Sequence, residues 1–327
     1  MKRLGVPLSL DRRILLIGSV MLALTPLARA ADPLGAIAQD VANLGAPDAA
    51  LEAKIAALAA EAGLAKVGFA AVDMNRGRTA FVRGGELFAM EGLNKLPIAV
   101  AYLKLVQDGA ARLDARIYLK ASDIVPGRSP IAERLRKRRT RFTARQLIEH
   151  MLLNGDTSAT DALIRHAGGI KGIQAALKRL KLEGVRIDRT ERQLANDVAK
   201  VSLDRYLADA RDTTSPRAFA SLIVRLAAGN LVQPRLTKFV LDLMQRTKSG
   251  DDRLKAGMLK GWTFAHRAGL ARTMEGVVPG FHDAGLATSK GAAKIALVLC
   301  VERASVSAAG LTQFHHAAAR AVLEAWG

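Results

Sequence analysis

Lys95 stands one turn into an apolar helical stretch, at the end of the segment Phe88-Ala-Met-Glu-Gly-Leu-Asn-Lys95. A nucleophile three residues before such a lysine suits acyl transfer, because the amine can take the nucleophile's proton. Position 92, where that nucleophile belongs, is glycine. Ser129 and Ser158 are the nearest serines in the neighbouring segments, and neither has a lysine three residues on. Asp156, Glu191 and Arg267 complete a set of charges that could hold a water or clamp an anionic ligand. Glycine offers no side-chain atom to acylate.

Other chemistries find little support in the residues. The single cysteine, Cys300, lies in the apolar run Ile295–Val301, which suits a buried thiol and does not favour a thiolate. One cysteine allows no internal disulfide. The six histidines are scattered, and no CxxC or HExxH spacing occurs, so neither a metal site nor a cofactor is expected.

Elements must bring the charged residues together. Apolar residues recur at helical spacing from Asp48 to Ala62. Val67–Met74 and Arg78–Val82 flank an Asn/Gly turn and read as a hairpin. From Leu93 to about Asn230 the pattern is helical, broken by polar loops. Within it Thr143-Ala-Arg-Gln146 is a capping-box start, and Gly168-Gly169 ends a helix. Strand patterns return at 261–266, 282–287 and 294–301, before a helix over Ala308–Trp326. A lone hairpin is hardly stable, so the early and late strands must share one sheet. The expected fold is α+β: an antiparallel sheet of about five strands, flanked by the terminal helices, with an inserted all-helical lobe. Residues 49–90 and 235–327 form the sheet lobe, and 91–234 the helical lobe. A cleft is expected where they meet.

Residues 1–30 are set apart as a leader. Basic residues at 2, 3, 12 and 13 precede the apolar run Ile14–Leu24 and the cleavage signal Ala28-Arg-Ala30. The arginine pair suits twin-arginine export, although Asp11 replaces the usual hydroxyl residue and Sec export fits too. The expected location is periplasmic or secreted. Residues 31–48 read as an arm, and 49–327 as the domain. The chain carries a net charge of +19; loss of the leader takes five basic residues and one acidic one and leaves +15. That balance favours anionic partners, and an exported chain poor in aromatics is not expected to bind nucleic acid. The densest basic run is Arg134-Leu-Arg-Lys-Arg-Arg-Thr-Arg141, either a solvated face or a docking patch for an anionic envelope surface.

Five segments, in order, resemble the class A β-lactamase branch of the penicillin-recognising serine hydrolases. Phe88–Lys95 is similar to that family's S-x-x-K helix start, and Asn154–Leu163 to its S-D-N segment. Arg186-Ile-Asp-Arg-Thr-Glu191 resembles the omega-loop segment ending in the general-base glutamate. Arg211-Asp-Thr-Thr-Ser-Pro216 resembles the end of that loop, and Arg267-Ala-Gly269 lies where K-T-G would. The departures fall on functional groups. Gly92 stands at the nucleophile, Gly155 and Thr157 flank Asp156 in the S-D-N segment, and Arg267-Ala268 replaces Lys-Thr. Glu191 to Asp212 spans 21 positions, a lengthened loop that Arg189 and Asp212 could close at its neck.

The resemblance implies that Lys95 and Glu191 persist as a residual charge pair able to prepare a water. Arg267 would meet a ligand carboxylate, with Asp156, Thr157 and Gly269 lining the site. The N–H groups of Gly92 and Leu270 would form the oxyanion hole. Each group also has a structural reading: Lys95 bridging to Glu191 or Asp156, Glu191 as a loop carboxylate, Asp156 as a helix cap, Arg267 as a surface cation. The leading expectation is a monomeric, secreted pseudoenzyme that binds a β-lactam, a peptidoglycan-like fragment or a protein partner without covalent turnover. The alternatives are a slow hydrolase using a water activated by Lys95 and Glu191, and a structural envelope-docking protein.

Overall fold

The computed structural model describes residues 47–327. The expected leader and almost all of the arm lie outside these residues. Asp48 caps the first helix, α1 (Ala49–Glu61), by accepting from Leu51 N. Strands β1 (Lys66–Asp73), β2 (Thr79–Val82) and β3 (Phe88–Ala89) follow. A 3-10 turn, Glu91–Asn94, opens directly into α2 (Lys95–Gln107).

The inserted lobe is helical apart from a two-stranded ribbon, β4 (Arg116–Leu119) with β5 (Thr140–Thr143), which brackets the short α3 (Ala132–Lys137). The expected capping box at Thr143 and Gln146 starts α4 (Ala144–Asn154), which ends on left-handed Gly155 at φ 68°. Asp156 caps α5 (Thr157–His166), and Gly168 precedes α6 (Gly169–Arg179). The omega loop contains two helices of its own, α7 (Glu191–Val198) and α8 (Leu203–Leu207). It closes through β6 (Thr213–Thr214), which pairs with β3. Helices α9 (Pro216–Ala227) and α10 (Pro234–Arg246) follow, each with proline in its first turn, where the missing N–H costs nothing; α10 packs Leu236, Val240 and Leu243 into the helical core, so that core runs past the expected boundary at 234.

The late strands β7 (Trp262–Leu270), β8 (Val278–Ser289) and β9 (Lys294–Ala304) join the early ones in one antiparallel sheet of order β2-β1-β9-β8-β7. Helix α11 (Ala308–Trp326) closes the chain. Period-two alternation divides the sheet between two cores. Ala70, Val72, Ala296, Val298 and Cys300 face the helical lobe. Phe69, Ala71, Leu297, Leu299 and Val301 face α1 and α11. Cys300 is fully buried, and burial pushes its thiol well above the ordinary range, as a structural thiol requires. β7 is an edge strand, and the 3-10 turn lies against it; the candidate site forms along this line.

Candidate active site

Glu91 departs from ordinary backbone geometry, at φ 49° in the left-handed region, and turns the chain from β3 into the 3-10 turn. The turn presses Gly92 onto β7. A Cβ at position 92 would lie 2.8 Å from the Ala268 carbonyl oxygen and 3.4 Å from Nη2 of Arg267. Gly269 is equally tight, since a Cβ there would sit 3.0 Å from Met90 O and 3.2 Å from Gly92 N. Both glycines let two backbones approach where side chains would hold them apart.

Lys95 points from the first turn of α2 toward the omega loop. Its Nζ donates to Glu191 Oε1 at 2.5 Å, and Asn94 Nδ2 donates to the same oxygen at 3.2 Å. Lys95 is 4% exposed, so the pair is nearly dry. Glu191 starts α7, whose cap Thr190 accepts from Gln193 N. The N–H groups of Glu191 and Arg192 donate to the carboxylate of Asp161 on α5, at 2.7 and 3.1 Å. Burial raises the Asp161 pKa to about 6, against the pull of those two N–H groups. The loop neck closes as its sequence suggests: Arg189 Nε donates to Asp212 Oδ2 at 2.6 Å. Its Nη1 reaches Asp197 and Asp209, each at 3.1 Å.

Arg267 is where the structure departs from expectation. Its guanidinium turns inward and is 3% exposed. Nε donates to Gly92 O at 3.0 Å and Nη1 to Leu152 O at 3.1 Å. A Cβ on Gly155 would lie 2.9 Å from Nη2. The guanidinium thus lies beside both Gly92 and Gly155. Among the described residues no carboxylate pairs with it directly; burial pulls its pKa down to about 10, and Glu191 opposes that shift from a distance. A cation held by two backbone carbonyls does not face a ligand carboxylate, and it is not a surface cation either.

The expected ligand-lining groups of the S-D-N segment are also engaged. Asp156 accepts from Ala159 N at 2.8 Å, Ile131 N at 2.9 Å and Ser129 Oγ at 3.0 Å, so it caps α5 and ties down the preceding loop. Thr157 Oγ1 donates to Arg128 O at 3.2 Å and is turned to that loop, away from a ligand. On β7, the N–H of Ala271 pairs with Gly280 O, so by strand alternation the Leu270 N–H points away from β8. Leu270 is 58% exposed at this edge, and Gly92 is half-buried.

Sequence reasoning missed four participants. Asn94 bridges Lys95 and Glu191; its signal was a polar residue in the first turn of an apolar helix. Asp161 orients Glu191 through backbone N–H groups and gives no sequence signal. Glu91 accepts a short hydrogen bond from the Tyr206 hydroxyl on α8. Arg253 Nη1 donates to Gly269 O and His282 O, both at 2.6 Å, and so braces β7.

The two-lobed fold and the convergence of α2, α5, the omega loop and β7 define the penicillin-recognising hydrolase class of architecture. A sequence model of the Beta-lactamase enzyme family matches residues 50–326, and the chain belongs to that family. It is similar to a β-lactamase of Streptomyces albus G, 26% identical over 280 residues that cover 84% of each chain. It is also similar to the carbapenem-hydrolysing β-lactamase KPC of Klebsiella oxytoca, 28% identical over 262 residues, 80% of this chain and 84% of that one. Among solved structures, an ancestral class A β-lactamase matches with a TM-score of 0.74 at 28% identity, covering 84% of this chain and all of the other.

Proposed function

We propose that this chain is a non-acylating member of the β-lactamase family, exported by its leader and acting as a monomer. It recognises a β-lactam or a peptidoglycan-like acyl peptide at the rim of a filled site. One observation supports this reading above the rest: the Arg267 guanidinium bonds Gly92 O and lies 3.4 Å from where a Cβ on Gly92 would sit and 2.9 Å from one on Gly155. Acylation needs an attacking atom held beside a base, and position 92 supplies none. Loss of the nucleophile in a serine hydrolase lowers turnover on the order of 10⁶-fold. Recognition at the rim would use backbone donors along β7 and Gly92, which need no side chain. A fluorescent penicillin followed by denaturing electrophoresis tests the first half, and a covalent band overturns it. Titration calorimetry with benzylpenicillin and with a muropeptide tests the second, and no heat from either ligand overturns it.

A second reading rests on the 2.5 Å contact between Lys95 and Glu191. A water admitted beside this pair could be activated for direct attack on a strained amide or an ester. Lys95→Ala and Glu191→Gln should each abolish such hydrolysis, and an unchanged rate in both removes this reading.

A further inference from the structure

The outward face of the β4–β5 ribbon concentrates charge with almost no relief. β4 presents Arg116 and Tyr118, with Lys120 just beyond it; β5 presents Arg141, with Arg139 just before it, all exposed. Tyr118 stands directly opposite Arg141, and the Arg139 guanidinium lies 4.6 Å from the centre of the Tyr118 ring. None of these four cations forms an ion pair among the described residues. The neighbouring carboxylates are engaged elsewhere: Asp114 with Arg112, Asp123 with Arg165, Glu133 with Lys137 and Glu149 with Arg145. Arg136 on α3 and Arg138 just after it, both exposed, extend the same uncompensated field.

Crowding like charges on one ribbon face opposes folding, so the arrangement is costly without a partner. The partner must be anionic. Its shape follows from the ribbon, which offers a face and no groove to track a single polymer strand. Tyr118, 49% exposed, is one of only three large apolar side chains so exposed among the described residues. A tyrosine ringed by arginines suits the headgroup level of a bilayer, where its ring is half-wetted and the cations meet lipid phosphates. Among the described residues no helix is long and apolar enough to cross a membrane, so such contact is peripheral. We infer that the β4–β5 ribbon docks this protein on an anionic lipid surface, through Arg116, Lys120, Arg139 and Arg141 around Tyr118. The inference is independent of what the cleft binds.

Vesicle co-sedimentation of the full chain tests it, comparing phosphatidylcholine alone with phosphatidylcholine containing phosphatidylglycerol. Binding is expected only to the anionic vesicles, and it should vanish in 1 M salt, where screening acts within about 3 Å. Arg116→Gln, Lys120→Gln, Arg139→Gln and Arg141→Gln together should weaken it at least about 100-fold, since each cation near such a surface adds to the attraction. A control variant with Gln at four exposed cations elsewhere (Lys171, Lys178, Lys181 and Arg235) should bind anionic vesicles within about three-fold of wild type. Thermal unfolding checks that both variants fold. Hydrogen exchange on wild type gives a second readout, with protection on vesicles expected at 116–120 and 139–141. Equal losses in the two variants, protection elsewhere, or binding to soluble polyphosphate without binding to vesicles each overturns the proposal.

Discussion

The guanidinium of Arg267 donates to the backbone carbonyl of Gly92 across 3.0 Å, joining the first residue of the β7 segment Arg267-Ala-Gly269 to the turn that precedes α2. The two positions are therefore physically coupled. A Cβ at 92 would lie 3.4 Å from Nη2 of this arginine, while its tight contact, at 2.8 Å, would be with Ala268 O. Gly155 belongs to the same arrangement, because a Cβ there would meet Nη2 at 2.9 Å.

Serine placed at position 92 alone is predicted to leave the protein non-acylating. In Gly92→Ser the new Cβ would press on Ala268 O at 2.8 Å, a backbone atom that cannot swing aside. Overpacking of this kind typically costs about 1–3 kcal/mol. Urea unfolding should show that loss, and fluorescent penicillin should leave no covalent band. Adding Arg267→Lys to Gly92→Ser should recover little of the stability, because the tight contact is with the Ala268 backbone and the Arg267 head lies 3.4 Å from the new Cβ. A labelled single variant would show that β7 yields easily at Ala268.

The Lys95–Glu191 pair is nearly dry, so breaking it from one side strands a charge. Lys95→Met or Glu191→Gln should each destabilise the fold by about 3 kcal/mol. The double variant should lose clearly less than the sum, since neither charge is then left without its partner. A double-mutant cycle in denaturant measures the coupling. Additive losses would mean that solvent or Asn94 already satisfies each group separately.

Much of this arrangement was legible from residue order. The apolar runs at Val67–Met74 and Lys294–Val301 gave the central strands, because a strand buried on both faces has no polar side to alternate with. The Arg189–Asp212 closure followed from two opposite charges flanking a loop. The ribbon β4–β5 did not stand out, because Thr140-Arg-Phe-Thr143 carries only one apolar residue. Arg267 was read as ligand-facing because the inward course of its side chain depends on Gly92, in the turn before α2, and Gly155, at the end of α4, which lie far apart in the chain. Asp156 keeps the residue type of a site segment and Thr157 keeps only a polar side chain, and their hydrogen bonds go to helix capping and the adjoining loop. The left-handed turn at Glu91 has no signature either, since glutamate rarely adopts it.

Arg189 is predicted to be the main restraint on the lengthened omega loop. It is buried and meets Asp212, Asp197 and Asp209 at once, and Arg211 shares the last two. Arg189→Gln leaves three carboxylates facing one another. A loss of about 3–5 kcal/mol is expected, as for other broken buried pairs. Limited proteolysis should then cut first between residues 192 and 211, with the sheet and α11 intact. Cleavage unchanged from wild type would place the restraint in the β3–β6 pairing.

Glu91 should make stability depend on pH in an unusual direction. Burial, with Glu191 and Glu302 nearby, raises its carboxyl from an ordinary 4.5 to about 7, although the Tyr206 hydrogen bond and Lys95 pull the other way. The folded state thus holds a proton that the unfolded chain releases between pH 4.5 and 7. Stability tied to this group is complete below about 4.5 and falls as pH rises through 7, because the unfolded state binds fewer protons there. A shift of this size corresponds to about 3 kcal/mol. Glu91→Gln keeps a group that can bond Tyr206 and cannot ionise. The stability of wild type relative to Glu91→Gln should therefore decline by about 3 kcal/mol between pH 4.5 and 7.5 in matched urea titrations. Asp161, raised in the same direction, is common to both proteins and cancels in the difference. A flat difference would mean that the Glu91 carboxyl reaches water in the folded protein and titrates as an exposed group does.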